Sequence, residues 1–481
     1  TGFNFVVCVI MAAIVFGGKA SHVALIAAEG SFLELRVDGL SAFMLLIIGM
    51  LGFLSALYSL RAIPTMVERG HGSPERVPMY YGLLVLFVGT MVWACTTNNI
   101  IVLWLAVETT TLSSAFLVAF AWDKGAVEAA YKYLLLLTVG ITFALLGSVL
   151  LYSTAAAQVG NVAGINPMAI TDIARHAGVL MAASPNTIIL GTILLLVGFG
   201  AKAGLAPLHA WLPDAHSEAP APVSVLLSGV VIKVGAYALI RCVLPFMAFV
   251  PGLSVAMAAL ACVGMIWGIA ACAVQDDLKR LLAYSSFSQI GYVLLGLAMG
   301  TPLGIFGGLF HMLNHALAKG LLFFAAGSVE HGARGRSLTR LAGLRAHMPI
   351  TSAVFFMGAL ALGGMPGLNG FLSKVTIFIA AADAGMWVAL IVGVITGLLT
   401  LVVLVRTAIN LFLGRPGQKE FAHAHEAPVL MWAPTVALAL LCLAIGLYPP
   451  IADALVGPAA DAVVATLGAG GTVPTLLAEG F

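Results

Sequence analysis

Five lysines of this 481-residue chain lie within stretches that are otherwise apolar enough to cross a bilayer: Lys132, Lys202, Lys233, Lys319 and Lys374. A charged side chain at bilayer depth costs at least about 2.5 to 3.5 kcal/mol, so such residues usually face a protein interior or a water-filled cavity. Glu108 is the one acid in the middle of such a stretch. Together these six side chains indicate a path for protons or other small ions.

The clearest local pattern is His311, His315 and Lys319, which recur every four residues. On a helix this spacing puts all three side chains along one face. Histidine titrates at about pH 6.5, so the column suits proton transfer along the helix. A zinc site and a structural hydrogen-bonded pair are alternatives, although no H-E-x-x-H pattern or neighbouring carboxylate completes a zinc site.

The other buried charges suit proton transfer in different ways. A lysine in apolar surroundings can lose its proton near neutral pH, which favours Lys202 and Lys233 as relay groups. Glu108 would be neutral if isolated and ionised beside a lysine. The alternatives are permanently paired lysines that join two helices, and a neutral Glu108 bonded to a neighbouring helix. Lys132 lies near a span end, where it can reach the interface, and is a secondary candidate as a partner of Glu108.

Three further secondary candidates lie in the segment PLHAWLPDAHSEAP at residues 207–220: His209, Asp214 and His216. Titratable groups gathered where a span emerges suit proton uptake, and a capped, hydrogen-bonded turn is the alternative. Arg406 is the last secondary candidate. It could pair with a carbonyl or an acid of a neighbouring helix, and we expect its role to be structural.

Membrane-spanning helices must position these residues. The chain is 61% hydrophobic and 9% charged, with a mean hydropathy of +1.08, which lies outside the range of soluble globular domains. At about 20 residues per crossing, it divides into thirteen spans of a single membrane domain, 1–481: 2–18, 38–60, 79–97, 99–121, 128–153, 187–212, 221–243, 252–273, 280–299, 303–328, 350–381, 386–413 and 428–450.

Composition also excludes several kinds of site. The net charge of +2 comes without a basic tract that would suit nucleic acid. The six cysteines are scattered singly through apolar stretches, with no C-x-x-C pair to hold zinc or an iron–sulfur cluster. We therefore expect no metal and no cofactor in this chain, and expect any redox cofactor to belong to partner subunits.

Basic residues are distributed very unevenly between the connections. Connections after even-numbered spans carry twelve: Arg61, Arg69, Arg76, Lys124, Lys279, Arg280, Arg334, Arg336, Arg340, Arg345, Arg415 and Lys419. Connections after odd-numbered spans carry four: Lys19, Arg36, Arg175 and Arg241. Because basic loops stay in the cytoplasm, this bias predicts cytoplasmic even-numbered connections and a C-terminus outside.

Helix breakers interrupt two of the spans. Gly204 and Pro207 follow Lys202 in the sixth, and residues 363–367, with sequence GGMPG, precede Lys374 in the eleventh. Paired broken helices in two halves of a transporter indicate an inverted repeat with ion sites at the breaks. We place repeat one at 79–243 and repeat two at 252–413, followed by the span 428–450 and a short tail. Ordinary proline kinks are the alternative.

Three motifs carry a family resemblance across residues 36 to 415. PLHAWLPDAHSEAP at 207–220, DLKRLLAYSS at 277–286 and FHMLNHALAK at 310–319 resemble the antiporter-like subunits of respiratory complex I, group 4 membrane-bound hydrogenases and Mrp antiporters. The segment EAAYKYLL at 128–135 is most similar to the hydrogenase-4 F-type branch. The resemblance implies an all-α fold of fourteen spans, the first preceding Thr1, with two inverted five-helix repeats and discontinuous helices.

The resemblance also implies roles for residues. Glu108 and Lys202 match the charged pair of the first half-channel, and Lys233 matches the lysine that links the half-channels. His311, His315 and Lys319 match the central polar axis, and Lys374 the exit-side residue, which is glutamate in some relatives.

The resulting hypothesis is a proton-translocating subunit of a larger complex in the cytoplasmic membrane, contacting the bilayer and other membrane and peripheral subunits. It would not be catalytic alone, because redox chemistry would reside in those subunits. Two alternatives stay open: the membrane subunit of a complex that takes up inorganic carbon, and a structural anchor that no longer conducts. The ion itself, proton or sodium, is not identified by these patterns.

Overall fold

The computed structural model describes residues 1–17, 22–26, 34–159, 161–162, 165–415 and 424–468. Most of these residues are helical. The helices in chain order are α1 Gly2–Phe16, α2 Gly39–Glu68, α3 Val77–Thr96, α4 Ile100–Val118, α5 Lys124–Ala157, α6 Ile170–Arg175, α7 Ala177–Ala183, α8 Pro185–Ala203, α9 Trp211–Glu218, α10 Ala221–Leu226, α11 Ile232–Cys242, α12 Leu253–Ala273, α13 Leu278–Ala298, α14 Pro302–Ala333, α15 Pro349–Gly363, α16 Asn369–Asp383, α17 Trp387–Ala408, α18 Val429–Leu447 and α19 Pro450–Leu467.

Short polar side chains define where several helices begin. Asn99 accepts from the backbone nitrogens of the first turn of α4 at 2.9 and 3.2 Å, and Asp123 accepts from Ala126 N of α5 at 2.8 Å. Asp277 and Thr301 cap α13 and α14 in the same way. These side chains satisfy amide groups that have no partner within the helix, so the polar residues between apolar runs fix the ends of the spans.

Twelve helical segments of the described residues are long and apolar enough to cross a membrane. Eleven of them correspond to predicted spans. The other two predicted spans are also helical, but α1 has 15 residues and the eleventh span is divided between α15 and α16, also of 15 residues each. The chain is thus the predicted multi-pass helical membrane domain, and the limits of the two repeats remain a prediction.

Besides the short helices α6, α7 and α9, two elements of the described residues were not predicted. The first is a hairpin of two short antiparallel strands, β1 His22–Ile26 and β2 Leu35–Asp38, between α1 and α2. The second is α19, in the part of the chain that we predicted as a short tail after Pro450. The apolar pattern of α19 is interrupted by Asp453, Pro458 and Asp461, although the helix is one of the twelve that are long and apolar enough to cross a membrane. It packs against α2 and α14.

Both predicted breaks are real ends of helices. Gly204 ends α8 and Gly364 ends α15, with φ of +74° and +85° respectively. Left-handed conformations of this kind favour glycine. The chain then leaves helical geometry before α9 and α16 begin, so the prolines do more than kink continuous helices.

Five even-numbered connections meet at one face of the bundle. Arg69, Asp123, Glu218, Lys279 and Arg334 come from the connections after spans two, four, six, eight and ten, and all line one cavity of about 730 Å³. This convergence supports the span count on which the charge bias rests. We call this end of the bundle the basic face.

The most buried helices carry most of the candidate site. The apolar windows of the continuous segment α10–α11 and of α14 are completely buried, whereas that of α17 is one-third buried. Lys233, His311, His315 and Lys319 therefore lie at the centre of the bundle.

The crossing of α15 and α16 leaves no room for a side chain at Gly370. A Cβ there would lie 1.9 Å from the Ala361 carbonyl oxygen. We expect Gly370→Ala to lower stability by about 1–3 kcal/mol, because the two helices must separate. Thermal unfolding in detergent measures the effect. Gly89→Ala in α3 is the control, since no described atom beyond its own helix lies within 4 Å of a Cβ at position 89. Equal unfolding temperatures for the two variants would contradict the close crossing of α15 and α16.

Candidate functional site

The centre of the site is a contact between Lys233 and His315. Lys233 Nζ of α11 and His315 Nδ1 of α14 are 2.7 Å apart, and both side chains are completely buried. Because a neutral lysine accepts a hydrogen bond and a protonated one donates it, the proton can lie on either nitrogen. This is the geometry of a direct proton exchange between two helices.

A π-helical segment, Leu227–Val231, lies between α10 and α11 and contributes the second partner of Lys233. The Ser228 carbonyl accepts from Lys233 Nζ at 2.5 Å. Short π segments inside α-helices often mark functional sites. Here the segment places a backbone carbonyl against the ammonium five residues later in the chain.

The buried polar side chains around Lys233 form a network with two limbs. One limb runs from His315 toward Lys374. The rings of His315 and His311 are nearly parallel, with centroids 6.4 Å apart. His311 Nδ1 and Ser373 Oγ are 3.0 Å apart, and Ser373 directly precedes Lys374 on α16. The Nε2 atoms of both histidines are buried without a hydrogen-bond partner in the described part of the chain.

The break in the eleventh span holds Lys374. Its Nζ donates to the carbonyls of Leu362 and Gly363 at 2.8 and 3.2 Å. These carbonyls are free because α15 ends there. The Tyr292 ring centroid lies 5.1 Å from the same nitrogen, so carbonyl dipoles and an aromatic face together surround this buried cation.

Lys319 lies on a second limb. Its Nζ donates to the Leu282 carbonyl at 2.7 Å and to Ser285 Oγ. The adjacent Ser286 shares a 2.7 Å hydrogen bond with Ser228, whose carbonyl binds Lys233. The column His311, His315 and Lys319 shares one helix, as predicted, but its members face different neighbours. The network therefore branches at Lys233.

Lys202 and Glu108 do not touch each other, and no hydrogen bond in the described residues joins either of them to the network around Lys233. Lys202 Nζ donates to Thr111 Oγ1 at 2.7 Å. Glu108 Oε1 accepts from Thr138 Oγ1 at 2.9 Å, and its Oε2 is buried without a partner among the described residues. Glu108 and Thr111 are three residues apart on α4 and share a helix face, so Thr111 lies between the predicted pair.

Lys132 does not pair with Glu108, contrary to our prediction. It is half-exposed and forms ion pairs with Glu128 at 2.8 Å and Asp214 at 3.7 Å. Asp214 also pairs with Arg280 at 2.8 Å. These groups belong to the basic face, because the helical turn near the start of α5 directs Lys132 toward that surface.

Two histidines of the 207–220 segment are buried against aromatic rings. His209 stacks on Phe287 at a centroid distance of 3.7 Å, and His216 on Phe323 at 4.7 Å. Both nitrogens of His216 are buried without a hydrogen-bond partner among the described residues. The segment therefore buries its two histidines in the bundle and leaves Asp214 partly exposed to solvent.

Arg406 does not form the suggested pair within the described residues. Its side chain is exposed on α17, and no hydrogen bond or ion pair joins it to the described part of the chain. A single arginine in an apolar stretch does not reveal which helix face it occupies, and here that face points away from the bundle. Arg406 lies apart from the network.

Sequence reasoning missed the uncharged polar groups of the network: Thr111, Thr138, Ser228, Ser285, Ser286, Ser373, Asn314 and Asn369. Asn314 Nδ2 donates to the Asn369 carbonyl at 2.9 Å, and Asn369 Nδ2 donates to Asn314 Oδ1 at 3.0 Å. This pair joins α14 to the first turn of α16. A search for hydroxyl and amide groups in the buried spans would have found them.

Among the described residues, no group of three His, Cys, Asp or Glu side chains lies together in a way that could hold a metal ion. The arrangement instead suits proton exchange between nitrogen atoms and movement of hydroxyl protons.

Comparisons with known proteins agree with the fold. Residues 97–400 match the family model described as NADH:quinone oxidoreductase/Mrp antiporter, transmembrane. The chain is 33% identical over 426 residues to the hydrogenase-4 component F homolog of Methylacidiphilum infernorum, covering 88% of this chain and 86% of that protein. It is also 33% identical to NADH-quinone oxidoreductase subunit N of Desulforudis audaxviator, covering 86% and 82%.

Solved structures give the same result. A chain of the archaeal membrane-bound sulfane sulfur reductase, a respiratory membrane complex, superimposes with a TM-score of 0.85 at 27% identity, covering 97% of this chain and 92% of that one. A chain of the Mrp complex from Dietzia superimposes with a TM-score of 0.82 at 24% identity, covering 97% and 93%.

Thr111 is the one hydrogen-bond partner of Lys202 in the described residues. We expect Thr111→Val to lower stability by about 1–3 kcal/mol, because the buried nitrogen loses its acceptor while side-chain volume is kept. The thermal midpoint in detergent measures this. Thr110→Val is the matched control, since in the described residues the Thr110 hydroxyl bonds only to the Val107 carbonyl of its own helix, at 2.7 Å. A larger loss of stability in Thr110→Val than in Thr111→Val would contradict the role assigned to Thr111.

Proposed function

Because this chain belongs to the NADH:quinone oxidoreductase/Mrp antiporter family, we propose that it moves protons across the membrane as the antiporter-like subunit of a larger complex. The relatives and solved structures that it resembles include subunits of multi-subunit membrane assemblies. On this proposal the energy comes from a reaction in partner subunits, which also hold any redox cofactors.

The contact between Lys233 and His315 is the observation that carries the proposal. Two positive charges 2.7 Å apart would repel by about 6 kcal/mol at an effective dielectric constant of about 20. The pair therefore holds one proton more readily than two. A proton arriving at Lys233 favours release from His315 toward His311, which is the behaviour of a relay.

Glu108 provides a means of control at the first end. Its Oε2 is buried with no partner among the residues that the structure describes, and Thr111 lies between it and Lys202. Movement of the carboxylate toward Lys202 would stabilise the protonated lysine, and movement away would release the proton toward Lys233. The proton then passes along His315 and His311 to Lys374.

Lys319 serves a separate limb of this path. Its contacts with Leu282 and Ser285 lead back to Lys233 through the hydrogen bond between Ser286 and Ser228. We assign this limb to proton uptake, because α14 continues from Lys319 toward Glu330 and the basic face. The limb through His311 is then the exit.

The orientation follows from the charge bias. We propose that the basic face lies in the cytoplasm, that the C-terminus lies outside, and that the membrane is the cytoplasmic one. Protons would then be taken up near the Lys279–Glu330 ion pair and released on the opposite side.

The relay is tested by removing its central group. In proteoliposomes containing the native complex, Lys233→Ala should abolish proton movement coupled to the partner reaction, because the network is cut at its branch point. Lys132→Ala removes a lysine from another span but only breaks half-exposed ion pairs. Proton flux measured with a pH-sensitive dye should be unchanged in this control, and an unchanged flux in Lys233→Ala would refute the relay.

The exit limb has its own test. Ser373→Ala removes the hydroxyl beside His311 without removing a titratable group, and should slow coupled proton flux by about fivefold, the effect of a hydrogen bond worth about 1 kcal/mol. Ser148→Ala is the control, because this buried hydroxyl of α5 bonds to the Ala144 carbonyl of its own helix, away from both limbs. Equal rates in both variants would exclude Ser373 from the path.

A further inference from the structure

Three arginines converge on one cavity at the end of the bundle opposite the basic face. Arg36, Arg175 and Arg241 come from the connections after the first, fifth and seventh predicted spans, and all line a cavity of about 420 Å³. They are all the described basic residues of the odd-numbered connections. A face that carries few cations thus gathers them in one place.

The fold builds this cavity from distant parts of the chain. Arg36 lies on β2, Arg175 ends α6, and Arg241 lies in the last turn of α11. The last two turns of α19 form another wall. Such convergence needs the hairpin, the packing of α19 and the connection between α5 and α8, so the cluster is not a consequence of local sequence.

The charges around the cavity do not balance. Arg241 donates to Asp38 at 2.5 Å, and Asp38 also accepts from Ser41 N at 3.0 Å. Burial raises the pKa of Asp38, but the Arg241 guanidinium outweighs it and lowers that pKa to about 2. Asp38 is therefore ionised and offsets one arginine. The lining residues carry three positive charges and this one negative charge.

Arg36 shows that an acceptor is missing. Its Nε is buried, with no hydrogen-bond partner among the described residues. Buried donors without a partner are uncommon in folded proteins. The nearest acid of Arg175, Asp172, is 3.7 Å away, and the Arg175 side chain is 70% exposed. Neither arginine is needed for the structural ion pair between Arg241 and Asp38.

We propose that this cavity binds a phosphate group, supplied by an anionic phospholipid of the surrounding membrane. Guanidinium groups bind phosphate oxygens through paired, charge-assisted hydrogen bonds. The cavity size is within the range of ligand pockets, about 300–1,000 Å³. Free inorganic phosphate offers the same chemistry.

The apolar part of the lining favours the lipid as the source. Ile170, Ile240, Pro245, Val463 and Leu467 share the cavity with the arginines. It also lies where spanning helices begin and end, since Asp38 caps α2 and Arg241 is in the last turn of α11. A phospholipid would place its phosphate against Arg36 and Arg175 and its glycerol and upper acyl chain against these residues.

A titration of the purified full chain in neutral detergent tests the site. Thermal midpoints are measured with increasing phosphatidylglycerol, phosphatidylcholine or inorganic phosphate. We expect phosphatidylglycerol to stabilise the wild-type chain, and the concentration required to rise at least about tenfold in Arg36→Gln/Arg175→Gln, because two charge-assisted contacts are lost. Arg340→Gln/Arg345→Gln removes the same charge from the opposite face and should leave the titration unchanged.

The outcomes separate the two sources. Stabilisation by phosphatidylglycerol alone, dependent on Arg36 and Arg175, identifies the lipid. Equal stabilisation by inorganic phosphate with the same dependence supports the phosphate site but assigns it to a soluble anion. Arg36→Lys keeps the charge without the paired donors of a guanidinium and should weaken binding by an intermediate amount, even if the double variant folds poorly. Titrations that are the same in the wild type and in every Arg36 variant would overturn the proposal.

Discussion

A lysine buried in a membrane-spanning bundle needs fixed acceptors, and the central part of this structure is arranged to supply them. Lys233, Lys319 and Lys374 each donate to at least one backbone carbonyl, and Lys202 donates to a threonine hydroxyl. Carbonyls and hydroxyls stabilise a cation without fixing a proton on it, as a carboxylate would. Neutral acceptors therefore allow these lysines both to remain buried and to exchange protons.

A carbonyl inside a regular helix is already bonded to an amide four residues later, and among these acceptors only Leu282 of α13, which binds Lys319, is of that kind. For Lys374 and Lys233 the structure departs from regular helical geometry. The end of α15 frees the Leu362 and Gly363 carbonyls for Lys374, and the π-helical segment before α11 directs the Ser228 carbonyl to Lys233. The breaks in the backbone and the charges are thus parts of one arrangement.

Hydropathy and charge predicted the architecture well because both reflect the free energy of transferring a residue between water and lipid. This transfer free energy is a property of each residue by itself. The spans and the convergence of the basic connections follow from it, whereas the breaks at Gly204 and Gly364 follow from the backbone properties of glycine and proline. Partners within the bundle depend on helix rotation and packing instead. Lys132 and Arg406 therefore turned out to face outward, and the hydroxyls around Lys233 went unnoticed. The helix α19 was missed although it is apolar enough to be a candidate span, because its acidic and proline residues interrupt the apolar pattern.

The dependence of contacts on helix packing also explains why His311, His315 and Lys319 do not form one continuous path along α14. Four-residue spacing puts the three side chains on one face of α14, but that face is wide enough to meet α11, α13 and α16 at once. His315 contacts Lys233 of α11, Lys319 contacts Ser285 of α13, and His311 contacts Ser373 of α16. One helix face thereby joins three neighbours. Since Lys233 is bonded toward both limbs, a change in its protonation alters the electrostatic environment of both, which provides a physical basis for coupling uptake to release.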